Sequence, residues 1–252
     1  MRPKRVGASV WRTLACAALV LCAARAASAD ETFKLTRVSP EYDLLVSVKE
    51  CGGPGQDGDA NTCRGPARVS LFRRGARRPF QVLRLPNVEL YRDTLSHHPR
   101  LSDRARALYA EEYGFVFDDF NFDGRDDLAV CNGREGGYGG PSYTVFLFDP
   151  RPRRFVENRR LSKLTEGVYL GLFFADPKKR RLTARWKSGC CYHETEVFKL
   201  VNNRPVLVGE EIEDATGGGA GEGFAMVTTR RRVGRRWVER TRKVRREENE
   251  RD

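Results

Sequence analysis

Apolar residues along the chain fall in short runs separated by turn-forming residues, with no long helical stripe. The runs are "YDLLVSVKE" (42–50), "ARVSLFRR" (67–74), "FQVLRL" (80–85), "GFVFDDF" (114–120) and "DLAV" (127–130). They continue with "SYTVFLFDP" (142–150), "GVYLGLFF" (167–174), "RLTARW" (181–186), "TEVFKLV" (195–201) and "PVLVGEEI" (205–212). Such runs, rich in Val, Leu, Phe and Tyr, predict strands, and those that alternate polar with apolar residues predict strands buried on one face. "VNNRP" and "FDPRPRRF" predict hairpin turns between neighbours. One segment breaks the pattern: "TLSHHPRLSDRARALYAEEYG" (94–114) has helix-like spacing after Ser102, a capping residue, and predicts a short helix or ordered loop. "ATGGGAGEG" (215–223) has no apolar side chain larger than alanine and predicts a flexible loop. The expectation is an all-β, antiparallel single domain over residues 30–252.

The N-terminus differs in kind. Arg2, Lys4, Arg5 and Arg12 precede the apolar run "LACAALVLCAA" (14–24), and small residues surround Ala29. Basic region, short apolar core and small residues in that order predict a secretory signal peptide over 1–29, and the apolar run is too short to span a bilayer. Leu21 before Cys22 is too bulky for lipoprotein processing, so simple cleavage is expected. A periplasmic or secreted protein without a transmembrane segment follows.

Net charge is +12, but it is uneven. Five basic residues lie in 1–29, and eleven, against five acidic, lie in 226–252; the span between carries 30 basic and 29 acidic residues. A basic tail on a neutral body fits either a solvated edge hairpin, folded at the Val233-Gly234 turn of "AMVTTRRRVGRRWVERTRKV", or attraction to an anionic envelope surface. Export argues against nucleic acid.

Outside the signal peptide stand Cys51, Cys63, Cys131, Cys190 and Cys191. In an oxidising compartment they are disulfide candidates. Cys51 and Cys63 flank "GGPGQDGDANT", a loop with no core of its own, which makes their bridge the natural one. Either Cys131 then pairs with Cys190 or Cys191, or the adjacent pair bonds to itself.

The stretch "DDFNFDGRDDLAV" (118–130) places Asp119, Asn121, Asp123, Gly124 and Asp127 at the spacing D-x-N-x-D-G-x-x-D. Alternate oxygens in a tight loop can face one centre, the Arg125 carbonyl can add a ligand, and Ca2+, a hard cation, would relieve the crowded charge. The plainer alternative is an Asp-Gly turn with solvated acids. Position twelve is Val130 rather than Glu and a strand-like run follows, so an EF-hand is excluded. The pattern resembles the strand-flanked calcium loops of integrin-type FG-GAP repeats, in which a ninth-position carboxylate, here Asp127, completes the site. No second full copy of the loop occurs.

An enzyme is not expected. Cys190 or Cys191 with His193 and Glu194 are near-neighbours on one strand and a poor basis for a spatial triad. His97 and His98 are adjacent, without zinc-ligand spacing, and no hydrolase or phosphate-loop motif occurs.

"FDDFNFDGRDDLAV", "GGYGGPSYTVFLFDP", "RRFVENRRLSKL" and "SGCCYHETEVFKLVNNRPVLVGEE" together resemble a family of bacterial periplasmic proteins with a calcium-bearing, β-propeller-like fold. Its characterised member is an immunity protein against a lysozyme-like, peptidoglycan-cleaving effector of a bacterial-killing type IV secretion system. That fold is similar in turn to periplasmic inhibitors of invertebrate-type lysozyme. The resemblance covers residues 113–213. It implies a β-propeller-like or sandwich-like domain that inhibits a peptidoglycan hydrolase by inserting a loop into its active-site cleft. Lysozyme inhibitors of this kind use a Ser-Gly loop followed by Tyr; Ser188, Gly189 and Tyr192 resemble it with one extra residue, and His193 adjoins. A second candidate loop, "NGREGGYGGPSY" (132–143), offers Tyr138 and Tyr143. The competing expectation is a calcium-stabilised envelope-binding or adhesion module acting through the basic tail.

Overall fold

The computed structural model describes residues 30–52, 61–93, 95, 113–217 and 221–246. The expected signal peptide, the His97-His98 pair and nearly all of the helix-like segment 94–114 lie outside the described residues. The rest is a succession of antiparallel meanders in three sheets. The first sheet is β1 (Glu31–Leu35), β2 (Tyr42–Cys51), β3 (Thr62–Arg73) and β4 (Gln81–Tyr91). The middle sheet is β5 (Phe115–Asp118), β6 (Asp127–Gly133), β7 (Ser142–Asp149) and β8 (Arg154–Glu157). The third runs from β9 (Phe174–Asp176) through β10 (Arg181–Ser188), β11 (Tyr192–Val201), β12 (Arg204–Asp214) and β13 (Phe224–Val233) to β14 (Arg236–Arg245). Within each sheet every strand pairs with its sequence neighbours. The fold is therefore all-β, in blade-like meanders, with no closed barrel.

Burial explains which runs alternate and which do not. Phe115, Phe117, Leu128, Val130, Phe146 and Phe148 of the middle sheet pack against Val46, Val69 and Val88 of the first. The intervening residues Val116, Ala129, Cys131, Val145 and Leu147 pack with Leu182, Ala184 and Phe198 of the third. A sheet covered on both faces needs apolar residues at every position, hence the unbroken runs in β5, β6 and β7. At the first interface the Phe155 ring lies 5.2 Å from Tyr42 and 5.3 Å from Phe148, in edge-to-face contacts that favour aromatic pairs. Gln81 on β4 crosses to β8, its amide exchanging bonds of 2.8 and 2.7 Å with the Phe155 backbone.

Turn chemistry sets the registers. Asn202 and Asn203 both take positive φ (50° and 58°), the conformation of a tight two-residue hairpin, and join β11 to β12. The Val233-Gly234 turn joins β13 to β14, with Gly234 at φ 61°.

One local expectation needs correction. "GVYLGLFF" is not a strand: Gly167 and Gly171 take positive φ (67° and 91°), Tyr169 makes only an isolated bridge to Trp186, and regular pairing starts at Phe174. Its apolar residues Leu172 and Phe173 are buried as an irregular segment instead. Among the described residues, the α-helix is a single turn, α1 (Arg159–Ser162), continued by a 3-10 turn at Lys163–Thr165. The Asn158 side chain caps α1 by accepting from the Leu161 N–H. This element substitutes for a longer β8, because Ser162 Oγ accepts the Val145 N–H at 2.9 Å and Thr165 Oγ1 accepts the Tyr143 N–H at 2.9 Å. Hydroxyls thereby satisfy buried β7 donors that strand pairing would otherwise take.

Candidate docking edge and cation loop

The loop 119–126 leaves β5 and re-enters the middle sheet at Asp127, the first residue of β6. Gly124 has φ +86°, with nothing near an added Cβ, so it is the backbone conformation that calls for glycine here. Short side chains hold the turn. Asp119 accepts from the Asp123 N–H (2.9 Å) and the Gly124 N–H (2.7 Å). Asn121 Oδ1 accepts from the Asp123 N–H at 3.0 Å, and Asp123 Oδ1 from the Arg125 N–H at 3.0 Å.

Asp127 has a different environment. It is fully buried. Its Oδ2 accepts from the N–H groups of Phe120 (2.9 Å) and Asn121 (3.2 Å), and its Oδ1 from that of Phe148 on β7 (2.8 Å). Burial, with the negative charges of Asp123 and Asp119, pushes its carboxyl up to about 8 against the backbone donors. Burial also raises Asp119.

The donor set fits a hard divalent cation in kind: carboxylates, an amide and a backbone carbonyl around a glycine turn. Its carboxylates are not drawn tightly together. Among the described residues, the trio of acidic, His or Cys side chains with ligand atoms all within 4.8 Å is Glu31, Cys51 and Cys63, and its cysteines are bonded to each other. The loop oxygens are turned to backbone N–H groups instead, so a cation would have to gather them.

The disulfides are Cys51–Cys63, across the β2–β3 pair, and Cys190–Cys191. The adjacent cysteines bond to each other, which rules out a bridge from Cys131. Cys131 lies buried in β6, its thiol directed at the Gly133 carbonyl.

The two candidate loops, some fifty residues apart in sequence, meet in space. Ser188, Gly189 and Cys190 form the exposed β10–β11 turn, with Gly189 at φ +65°. The Gly189 N–H donates to the hydroxyl of Tyr138, and Lys187 Nζ lies 5.2 Å from the centre of the Tyr138 ring. Tyr138 itself is 68% exposed. Despite its glycines, the Tyr138 turn is tightly seated. The Gly137 N–H donates to the Tyr169 carbonyl (2.7 Å) and the Gly167 N–H to the Glu135 carbonyl (2.7 Å). A Cβ on Gly137 would sit 2.4 Å from the Val168 carbonyl oxygen, and one on Gly136 2.9 Å from two others. Arg134 anchors the turn from below, donating to the Gly139 carbonyl (3.3 Å), to Glu89 (2.8 Å) and to the Tyr91 hydroxyl. Val168, 56% exposed, flanks Tyr138.

The other candidates divide by strand alternation. Tyr143 is buried between the middle and third sheets and presents nothing to a partner, because β7 points it inward. Tyr192 is half-buried, 5.3 Å from Trp186, and donates to Glu194 at 3.3 Å. Burial and the charge of Glu196 raise Glu194. His193, the next residue, turns to the opposite face beside Lys187 and Glu213. Tyr138, Val168 and the Ser188–Cys190 turn thus form one exposed edge, with Tyr192 as its support. Val168 and the Arg134–Glu89 anchor carry no motif of their own and emerge only from the packing.

No helix among the described residues is long and apolar enough to cross a membrane. The sequence matches no protein-family model and no curated protein. Among solved structures the chain is similar to a Xanthomonas type IV secretion system related protein, at 25% identity and a TM-score of 0.65, over 82% of this chain and 92% of that one.

Proposed function

We propose that this protein is an exported inhibitor of a lysozyme-like peptidoglycan hydrolase, an immunity protein whose composite edge enters the enzyme's active-site cleft. One observation carries the reading most: the Gly189 N–H to Tyr138 hydroxyl contact, which joins two glycine-bearing loops into a single exposed projection. Inhibitors gain affinity from rigid anchors that lose little entropy on binding. Tyr138 is such an anchor, an exposed aromatic on a turn that cannot relax, and the Cys190–Cys191 ring stiffens the neighbouring turn. Similarity to a secretion-system related protein supports the same setting. Inhibition is favoured over catalysis because Cys190 and Cys191, the thiols nearest His193, are engaged with each other.

We further assign Ca2+ a structural role at the loop, held by the side chains of Asp119, Asn121, Asp123 and Asp127 and the Arg125 carbonyl. Bound there, it would keep the buried Asp127 carboxylate ionised and tie β5, β6 and β7 together.

The test is a cell-wall lysis assay. Mature protein in calcium is titrated against a panel of lysozyme-like hydrolases, including any encoded beside its gene. Stoichiometric inhibition of one is expected, with Tyr138→Ala weakening it by about 2 kcal/mol or more, roughly 30-fold. Folded, calcium-loaded protein that inhibits none of them would overturn the assignment and favour the envelope-binding alternative.

A further inference from the structure

The third sheet carries a second candidate surface on its outward face, remote from the docking edge in chemistry. A groove of about 880 Å3 crosses strands β9 to β13 there. Its floor is aliphatic, from Val197, Val206 and Val208, and its rim is cationic, from Arg181 on β10, Lys199 on β11, and Arg231 and Arg232 on β13. The acid on the lining, Asp176, is already engaged by Lys179 (3.4 Å). Among the described residues none of the four rim cations pairs with a carboxylate, so like charges face one another around an apolar floor.

We propose that this groove binds an acidic, aliphatic-bearing segment of a protein partner in extended conformation. Several observations select that occupant. Four unmatched cations call for negative charge. Rim residues from β10 to β13 span three interstrand steps, about 14 Å, the length of four or five extended residues. The lining holds no aromatic residue, and without one neither nucleobases nor sugar rings gain a stacking platform. Valines on the floor suit aliphatic side chains.

The probe is a labelled eight-residue peptide alternating Glu and Val, followed by fluorescence anisotropy with the mature protein. Saturable binding that weakens with salt is expected, at least tenfold weaker when Gln replaces Glu. The double variant Lys199→Glu/Arg231→Glu should lose at least tenfold. Gly209→Leu tests the floor without changing charge: Gly209 lines the groove, and a Cβ there meets nothing closer than 3.5 Å. It too should lose tenfold or more at an unchanged Tm. Tyr138→Ala should leave peptide binding intact, which separates this surface from the hydrolase-binding edge. Three results overturn the proposal: no peptide binding at low salt, equal binding by the charge-reversed variant at unchanged Tm, or a groove-dependent preference for phosphatidylglycerol vesicles or cell wall over the peptide.

Discussion

Replacing Asp127 tests how a single buried carboxylate holds the loop 119–126 onto the middle sheet. Its oxygens accept from three backbone N–H groups, two of which belong to the buried residues Phe120 and Phe148, while Asn121 is partly exposed. In Asp127→Ala water can reach the Asn121 donor and the Phe120 N–H keeps its 3.2 Å bond to the Asp118 carbonyl, so the Phe148 N–H is the buried donor left without a partner. A buried donor left without a partner costs about 1–3 kcal/mol, so the loss in chelator should be about 2 kcal/mol. Asp127→Asn retains one acceptor oxygen and removes a carboxyl whose ionisation burial opposes; it should lose about half as much. Urea unfolding in chelator measures both, as a fall in midpoint at constant m. A loss below about 1 kcal/mol for Asp127→Ala would refute the reasoning, since it would mean that these three bonds do not hold the loop. Repeating the series at calcium a hundredfold above its dissociation constant should add about 2.7 kcal/mol to the wild type by mass action, and little to either variant.

Asp123→Ala should remove that calcium-dependent gain while costing only about 1 kcal/mol in chelator, because the two bonds its side chain accepts, from the Arg125 N–H and the Asn121 amide, are both exposed; equal losses with and without calcium would leave the aspartates as turn-formers alone. Glu89 has an acid-side signature. Burial opposes its ionisation, but hydrogen bonds from Tyr91 and Arg134 and the charge of Arg64 outweigh burial and hold it below the usual carboxylate range. The stability it contributes is present above its unfolded value, about 4.3, and is lost as pH falls through the lower folded one; Glu89→Gln should flatten the stability profile below about pH 4. Gly137→Ala, which forces a Cβ against the Val168 carbonyl, should displace the Tyr138 turn and weaken hydrolase inhibition at least tenfold, while near-UV circular dichroism shows the core intact.

Much of the architecture was legible from patterning. Alternation in "YDLLVSVKE" and "PVLVGEEI", and the two asparagines of "VNNRP", specify half-buried strands and a tight hairpin by local sterics alone. Unbroken runs in "FVFD" and "DLAV" announced burial, and the Asp-Gly loop its own turn. The failures were just as local. "GVYLGLFF" has strand composition, yet Gly167 and Gly171 adopt backbone conformations that a strand cannot continue, and Tyr143, offered as a partner contact, takes an inward position on β7 through its pairing with β6.

What the sequence by itself determined are properties set by neighbours along the chain: strand periodicity, turn chemistry, the bridge across the Cys51–Cys63 loop and the spacing of oxygen donors from Asp119 to Asp127. Tertiary structure alone decided which residues meet. It bonded Cys190 to Cys191 rather than to Cys131, buried Asp127 beneath β7, and brought Tyr138 against Gly189 through an anchor that reaches back to Glu89 on the first sheet. The reason is physical: short-range sterics act within a few residues, whereas the Tyr138–Gly189 edge depends on how two faces of one sheet are covered, and that is settled only when all three sheets pack.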